Sequence, residues 1–522
     1  MSQFTFAIRL AEKLKAPAPI SLGLTLAVTA IYLSFRNIPV ADFGHDVIEI
    51  YDWAWRIYCG QIPHVDFISP IGSGFLYLCY VYLSAAHFSP FGFSLMNATI
   101  SLLAVFLVLA LYLKTLSTAE SYKDPKVIEY VFIILTILSF GYGSINIGIP
   151  GSVTYAMLYN RYGYIFLTVV FAESVMPVGS LGRSEQHVRA AVLAISACAL
   201  AVIKFTFLIP ACLFMGLSLC SQRNWPKYVE AFFIFILLMV GYSALTGASV
   251  DHEFADSKLI SKARLGSVDF NIGLLSFLKA KFLHLVFVAQ VGACLILMAM
   301  FARTKDLLSV AWIIVIGFCA IYAHLTNFGF DEIPLLSFVA LFALRAAHAN
   351  YFAKAALVFA LSGSFFVNSA VGFLLAGVVS AHRQYVPKID SGAIRNLYII
   401  NAAGYGNERY TEKLAEAQSL ISANIKNPQR IAALDFSNPF NALLAVTPPK
   451  QMLTGWQLEN SFTYQFFPDF DRTFGDTEII LIPKKHDPES TTPMLAIYGR
   501  EIEEKFSRVA ESDHWILMQR KH

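Results

Sequence analysis

His45, Asp46, Glu49, Asp52, His64 and Asp66 fall within one stretch of the chain, residues 37–91. Carboxylates accept protons from hydroxyl groups, and imidazoles hold or pass them on. The run from Phe43 to Arg56 reads as a short amphipathic helix, on which Asp46, Glu49 and Arg56 share one face. Asp46 suits two roles equally well: a helix N-cap ahead of an amphipathic run, or a general base. Glu49, Asp52 and Asp66 fit a solvated face or a turn as well as a site. His45 and His64 fit structural places as well as contacts to a phosphate or substrate. Arg56 follows Asp52 at the spacing of a local ion pair.

The elements that position these groups follow from composition. The 522 residues are 56% hydrophobic and only 14% charged, with a mean hydropathy of +0.57. A soluble domain carries roughly 25% charged residues. The deficit is confined to Pro19–Ala381, which is mostly long apolar runs, whereas Arg383–His522 has the composition of a soluble domain. The expected architecture is an α-helical polytopic membrane bundle over residues 1–381 and a small C-terminal α/β domain over 382–522. The net charge of +3, without any basic block, leaves no electrostatic footprint for nucleic acid. Seven cysteines, none in the C-terminal region and none in a CxxC pair, exclude a disulfide framework or a zinc site. No metal or other cofactor is indicated.

A span needs roughly 17–25 apolar residues. Candidates are 19–36, 93–115, 128–148, 161–178, 188–203, 205–220, 229–246, 280–302, 307–325, 333–349 and 354–380, about eleven crossings, with a break at Lys204 dividing 188–220. The first of these reads as an uncleaved span behind a basic N-terminus (Arg9, Lys13, Lys15) rather than a signal peptide. The Tyr-rich run Gly72–Phe88 is read as an interfacial helix. With that reading the basic loops, including Lys114–Lys126, Arg183/Arg189, Arg223/Lys227, Arg303/Lys305 and Arg345/Lys354, all fall on the cytoplasmic side. The C-terminal domain and loops 37–91, 146–160, 247–279 and 326–332 then lie outside. A long loop beside a bundle is uncommon unless functional.

Gly60-Gln-Ile-Pro63-His64-Val-Asp66-Phe67 forms a turn and Pro70-Ile-Gly72 starts the next helix. With the acid at Asp46, this loop resembles that of the GT-C glycosyltransferases, above all bacterial members related to protein mannosyltransferases and lipid A sugar transferases. The likeness covers the bundle and this loop, and the C-terminal domain only in position. It departs from the family in three places: Val47 follows Asp46, His64 replaces a Tyr, and the loop 146–161 contains no carboxylate. The last of these argues against a metal shared between loops.

The resemblance implies a transferase in a bacterial inner membrane. It would move a hexosyl or pentosyl group, with inversion, from a polyprenyl-phosphate donor to a lipid-linked or cell-envelope glycan. Asp46 would be the base. Lys204, Arg161, His64, His45 and Glu49 would lie toward the lipid phosphate, and Asp66, Asp331 and Glu332 toward sugar or acceptor. Each has a plainer reading. Lys204 can snorkel from a helix end, Arg161 can anchor an interface beside tyrosines, and Asp331 and Glu332 suit a helix N-terminus. The alternative function is a transporter or flippase for an amphiphilic substrate, although no inverted repeat is visible. A membrane scaffold for envelope assembly is a third reading.

In the C-terminal region, Glu408–Ile425 and Leu495–Val509 read as helices, and Ile431–Phe436, Glu478–Ile482 and Trp515–Met518 as buried strands. No Gly-rich phosphate loop follows a strand. The expected role of this domain is to cover the outer face of the bundle and seat an acceptor.

Overall fold

The computed structural model describes residues 17–118, 124–143, 154–176, 182–248, 250–267, 285–326, 333–346, 349–400 and 409–521. Asp331 and Glu332 lie outside the described residues. The chain opens with α1 (Pro17–Ser34), α2 (Gly44–Tyr58) and α3 (Ser73–Ala85). At 13 residues, α3 rises only ~20 Å, short of the ~30 Å hydrocarbon core of a bilayer. Then follow α4 (Phe91–Thr118), α5 (Pro125–Tyr142), α6 (Leu158–Val175), α7 (Arg183–Ile203), α8 (Leu208–Gln222), α9 (Trp225–Thr246), α10 (Val250–Ser267), α11 (Leu285–Arg303), α12 (Leu307–Thr326), α13 (Ala340–Arg345) and α14 (Tyr351–Ala381).

Among the described residues eight helices are long and apolar enough to cross a membrane. The protein is an α-helical polytopic membrane bundle carrying a small α/β domain at its C-terminus. α6 has span length but is buried on nearly every side, so its Asn160, Arg161, Thr168, Glu173 and Ser174 meet protein rather than lipid. α7 stops at Ile203, Lys204 adopts an extended conformation (φ −158°), and a short 3-10 turn, Phe205–Phe207, leads into α8. That is the break expected at Lys204.

The expected span 333–349 is corrected. Pro334–Val339 is a 3-10 helix and α13 adds six residues, so the piece rises only ~21 Å. It is almost wholly enclosed by protein. Its apolar character reflects burial in the bundle, which a hydropathy run does not distinguish from exposure to lipid.

Ion pairs, buried at Glu173 and exposed at Lys114, bring the basic helix ends together at the end of the bundle away from α2. Glu173 near the end of α6 accepts from Arg189 Nε (2.8 Å) and Lys227 Nζ (2.7 Å). Arg345 at the end of α13 holds Glu129 of α5 through two bonds of 2.7 Å each, and Lys114 near the end of α4 reaches Glu185 of α7 at 3.1 Å.

The C-terminal domain contains a hairpin, β1 (Lys388–Ser391) with β2 (Ile394–Tyr398), then α15 (Tyr410–Asn424), β3 (Ile431–Ala433), α16 (Phe440–Leu444), α17 (Phe470–Phe474), β4 (Ile479–Pro483), α18 (Thr491–Lys505), β5 (Phe506–Glu511) and β6 (Trp515–Arg520). The larger sheet has the order β3-β4-β6-β5, with β3 parallel to β4 and the other pairs antiparallel. The helix expected over Leu495–Val509 is also corrected. It ends at Lys505, and Phe506–Glu511 forms a strand whose pairing with β6 overrides local helix preference.

Stretches of the first loop join this domain edge to edge. Val40 exchanges backbone bonds with Tyr398 and Ile400 (2.8 Å each), and Ile68 bonds to Met452 O (3.1 Å) and Thr454 N (3.0 Å). The loop and the domain therefore form one hydrogen-bonded unit above the bundle.

Candidate active site at the seam of helix α2 and the C-terminal domain

α2 is amphipathic, and almost all of it is covered once the C-terminal domain docks. Its N-cap is Phe43, with no side-chain capping bond, so Asp46 sits in the first turn rather than at the cap. Three polar anchors fix the helix. Trp53 Nε1 donates to Thr454 Oγ1 (2.9 Å), and Trp55 Nε1 to Val446 O (2.8 Å). Arg56 Nε donates to Asp52 Oδ2 (2.7 Å), and its NH1 to Pro449 O (2.7 Å). The Asp52–Arg56 pairing is the local pair expected from the spacing.

Asp46 is 18% exposed and lies 3.3 Å from His45 Nε2. Burial pushes its carboxyl above the usual aspartate range, and the His45 imidazole opposes this. Glu49, one turn on, is 2% exposed. Among the described residues neither of its oxygens has a hydrogen-bond partner. Burial raises its carboxyl well above the usual glutamate range, and the charge of Asp52 raises it further, against Arg56. Burial of this kind favours the protonated form of the carboxyl.

Two residues that sequence reasoning missed complete the seam. Asp435 follows β3, and its carboxyl is pushed up by burial, with His45 among the charges that oppose the rise. The adjacent Phe436 ring stands edge-on to His45, 4.8 Å between centroids. Tyr410, the first residue of α15, is buried near Asp435, Glu49 and Asp46, and its hydroxyl pairs with Ser437 Oγ at 3.1 Å. The available signal was an acid at the carboxyl end of an apolar strand, in the run expected at Ile431–Phe436.

The turn 59–67 starts with Gly60 at φ +86°, a left-handed conformation that favours glycine. Asp66 caps that turn, accepting from Ile62 N (2.9 Å) while Lys450 approaches at 3.0 Å. His64 Nδ1 faces Asp256 Oδ2 of α10 at 2.9 Å, with both side chains buried. Next to it, Ser73 donates to Glu253 (2.7 Å) and accepts from Tyr242 (2.8 Å), so α10 straps the turn and the start of α3. Asp66 and His64 are thus held by their own partners, apart from the pair Asp46 and His45.

Lys204 is 8% exposed, with Nζ 4.3 Å from the Tyr159 ring centroid. A Cβ at Gly72 would collide with the carbonyls of Val202 and Ile203. That glycine is what lets the start of α3 dock against the end of α7. Rings continue from Tyr159 to Phe75 (5.5 Å) and from Phe75 to Trp53 on α2 (6.3 Å), so Lys204 and α2 border one packed region. Arg161 is turned elsewhere. It is 4% exposed and donates to Gly143 O and Thr154 O, 3.1 Å each. Among the described residues no three His, Cys, Asp or Glu side chains form a group that could hold a metal ion.

No family model matches the sequence, and no curated protein does. In structure the chain is similar to ArnT from Cupriavidus metallidurans bound to undecaprenyl phosphate, at 10% sequence identity and a TM-score of 0.48, over 96% of this chain and 98% of that one. The apo form of ArnT gives 10% identity and a TM-score of 0.47 over the same shares. The archaeal oligosaccharyltransferase AglB from Archaeoglobus fulgidus, in complex with an inhibitory peptide and a dolichol-phosphate, gives 12% identity and a TM-score of 0.33 over 89% of this chain and 69% of that chain.

Proposed function

We propose that the protein is an inverting glycosyltransferase that moves a sugar from a polyprenyl-phosphate donor to a lipid-linked or envelope glycan, with Asp46 as general base. The observation that carries this reading is the setting of Asp46: a carboxylate 18% exposed, at a seam walled by Glu49, Asp435 and Tyr410. Burial moves its carboxyl toward neutral pH, where a base is most effective.

In the proposed step Asp46 accepts the proton of the acceptor hydroxyl as its oxygen forms a bond to the anomeric carbon. The bond from that carbon to the phosphate oxygen breaks, and its electrons leave on the lipid phosphate. Lys204, beside the seam at the broken helix, offers the cation that a departing phosphate requires. Direct displacement needs no protein nucleophile and inverts the anomeric centre. The basic helix ends cluster away from this seam, which under the positive-inside rule supports the reading that α2 and the C-terminal domain lie outside the cytoplasm.

The test is transfer of label from a panel of undecaprenyl-phosphate-linked sugars to envelope lipid extract by the purified protein. Asp46→Asn is expected to lower turnover by about 10²- to 10⁴-fold while leaving the melting temperature unchanged. Turnover by Asp46→Asn equal to that of the wild type removes Asp46 as the base.

A further inference from the structure

Among the described residues Arg161 has no carboxylate partner. Its two hydrogen bonds go to neutral carbonyls, Gly143 O and Thr154 O, and its ionisable neighbours are the tyrosines Tyr32, Tyr155 and Tyr162. The segment between those carbonyls, residues 144–153, contains no Asp or Glu. A buried ion without a counter-charge is costly by several kcal/mol. Carbonyl dipoles satisfy some of the five guanidinium donors but leave the net charge in place.

Beside the guanidinium is a cavity of about 20 Å³, lined by Tyr32, Tyr142, Tyr155 and Arg161, with Gly372 and Ala376 of α14 leaving the space open. That is room for one or two water-sized species. Tyr32 Oη accepts from Asn97 Nδ2 (2.9 Å) and has the Ser94 hydroxyl within reach, so its proton can turn to Ser94 or to the cavity. A cation and a hydroxyl group therefore border one small cavity.

We propose that this chamber is a binding site for a small monovalent anion of halide size, held by Arg161 and Tyr32. It is distinct from the lipid-phosphate site suggested beside Lys204 and does not depend on the transferase reading. The anion would neutralise Arg161 and so fasten the two carbonyl ends. Thr154 Oγ1 in turn donates to Asp42 O (2.8 Å), just ahead of α2, so occupancy would stiffen the support of the Asp46 helix.

The experiment uses the full chain in lipid nanodiscs, melted in sodium chloride or in sodium gluconate at equal ionic strength. Chloride is expected to raise the melting temperature by about 3 °C in the wild type, saturating at millimolar concentration. Arg161→Met is expected to abolish that response. Because Arg161→Met also loses two backbone bonds, Tyr32→Phe serves as the second variant and is expected to weaken the apparent chloride affinity about 5-fold. Equal melting of the wild type in the two salts overturns the proposal, as does an unchanged chloride affinity in Tyr32→Phe. Undecaprenyl phosphate added alone provides the last arm. If it abolishes the chloride response, the chamber belongs to a lipid headgroup and the proposal falls; an additive effect supports it.

Discussion

Replacing Arg56 by Met tests how the loop and the C-terminal domain are held together. Arg56 is fully buried, and its guanidinium serves both at once, bonding Asp52 at 2.7 Å within α2 and Pro449 O at 2.7 Å across the seam. Met fills a similar volume, so the change removes charge rather than packing. It leaves the Asp52 carboxyl buried with neither oxygen paired, since Oδ1 already has no partner among the described residues. Breaking a buried pair from one side costs about 3–5 kcal/mol. Asp52→Asn combined with Arg56→Met replaces the stranded carboxyl by an uncharged amide and is expected to return about half of that loss. The assay is denaturant-titrated unfolding of the detergent-solubilised protein, followed by tryptophan fluorescence, with limited proteolysis reporting release of residues 382–522. The reasoning fails if Arg56→Met unfolds within about 1 kcal/mol of the wild type, or if the double variant is no more stable than the single one.

Glu49→Gln tests the neutral state of that residue. The folded carboxyl is raised above its ordinary 4.5, so from 4.5 up to the raised value the native state binds more protons than the unfolded chain. Wild-type stability therefore falls as pH rises through that window. Glu49→Gln has no such slope, and its stability relative to the wild type, followed by thermal melting, is expected to climb by about 1–3 kcal/mol as pH rises from 4.5 through the raised value; a flat difference would mean that Glu49 is charged and paired. Gly72→Ala is expected to cost about 1–3 kcal/mol by overpacking against the carbonyls of Val202 and Ile203. Thermal melting checks this, and a neutral result would mean that α3 does not dock on α7 as described.

Legibility followed the range of the interaction. The spans, the break at Lys204, the α2 helix and the Asp52–Arg56 pair rest on neighbours within a few turns, and periodicity or composition reveals such features. The piece over Pro334–Arg345 misled because an apolar run bears the same signature whether it meets lipid or protein. β5 misled because its strand state comes from pairing with β6, not from its own residues. Asp435 and Tyr410 were out of reach for a stronger reason: they join Asp46 from more than 360 residues along the chain, and nothing in the spacing of either segment encodes that meeting. Arg161 shows the opposite difficulty. Its type suggested a phosphate ligand, yet its geometry turns on two backbone carbonyls, which carry no residue-type signal.

The C-terminal domain and α2 complete one another at the seam, because the polar groups there cannot be shared out between separate pieces. Trp53 and Trp55 are largely buried and spend their indole N–H groups on Thr454 and Val446. Gln61 spends its amide on Pro448 O at 2.9 Å. Without the domain these donors turn to water and their faces lose apolar cover. With it, each donor is paired and the flanking carboxylates are withdrawn from solvent. The desolvation that raises Asp46, Glu49 and Asp435 together is a property of the docked pair. A change that loosens the seam is therefore expected to lower the Asp46 carboxyl toward its ordinary value even when it leaves Asp46 itself untouched, and a pH titration of Asp46 in such a variant that matches the wild type would refute this link.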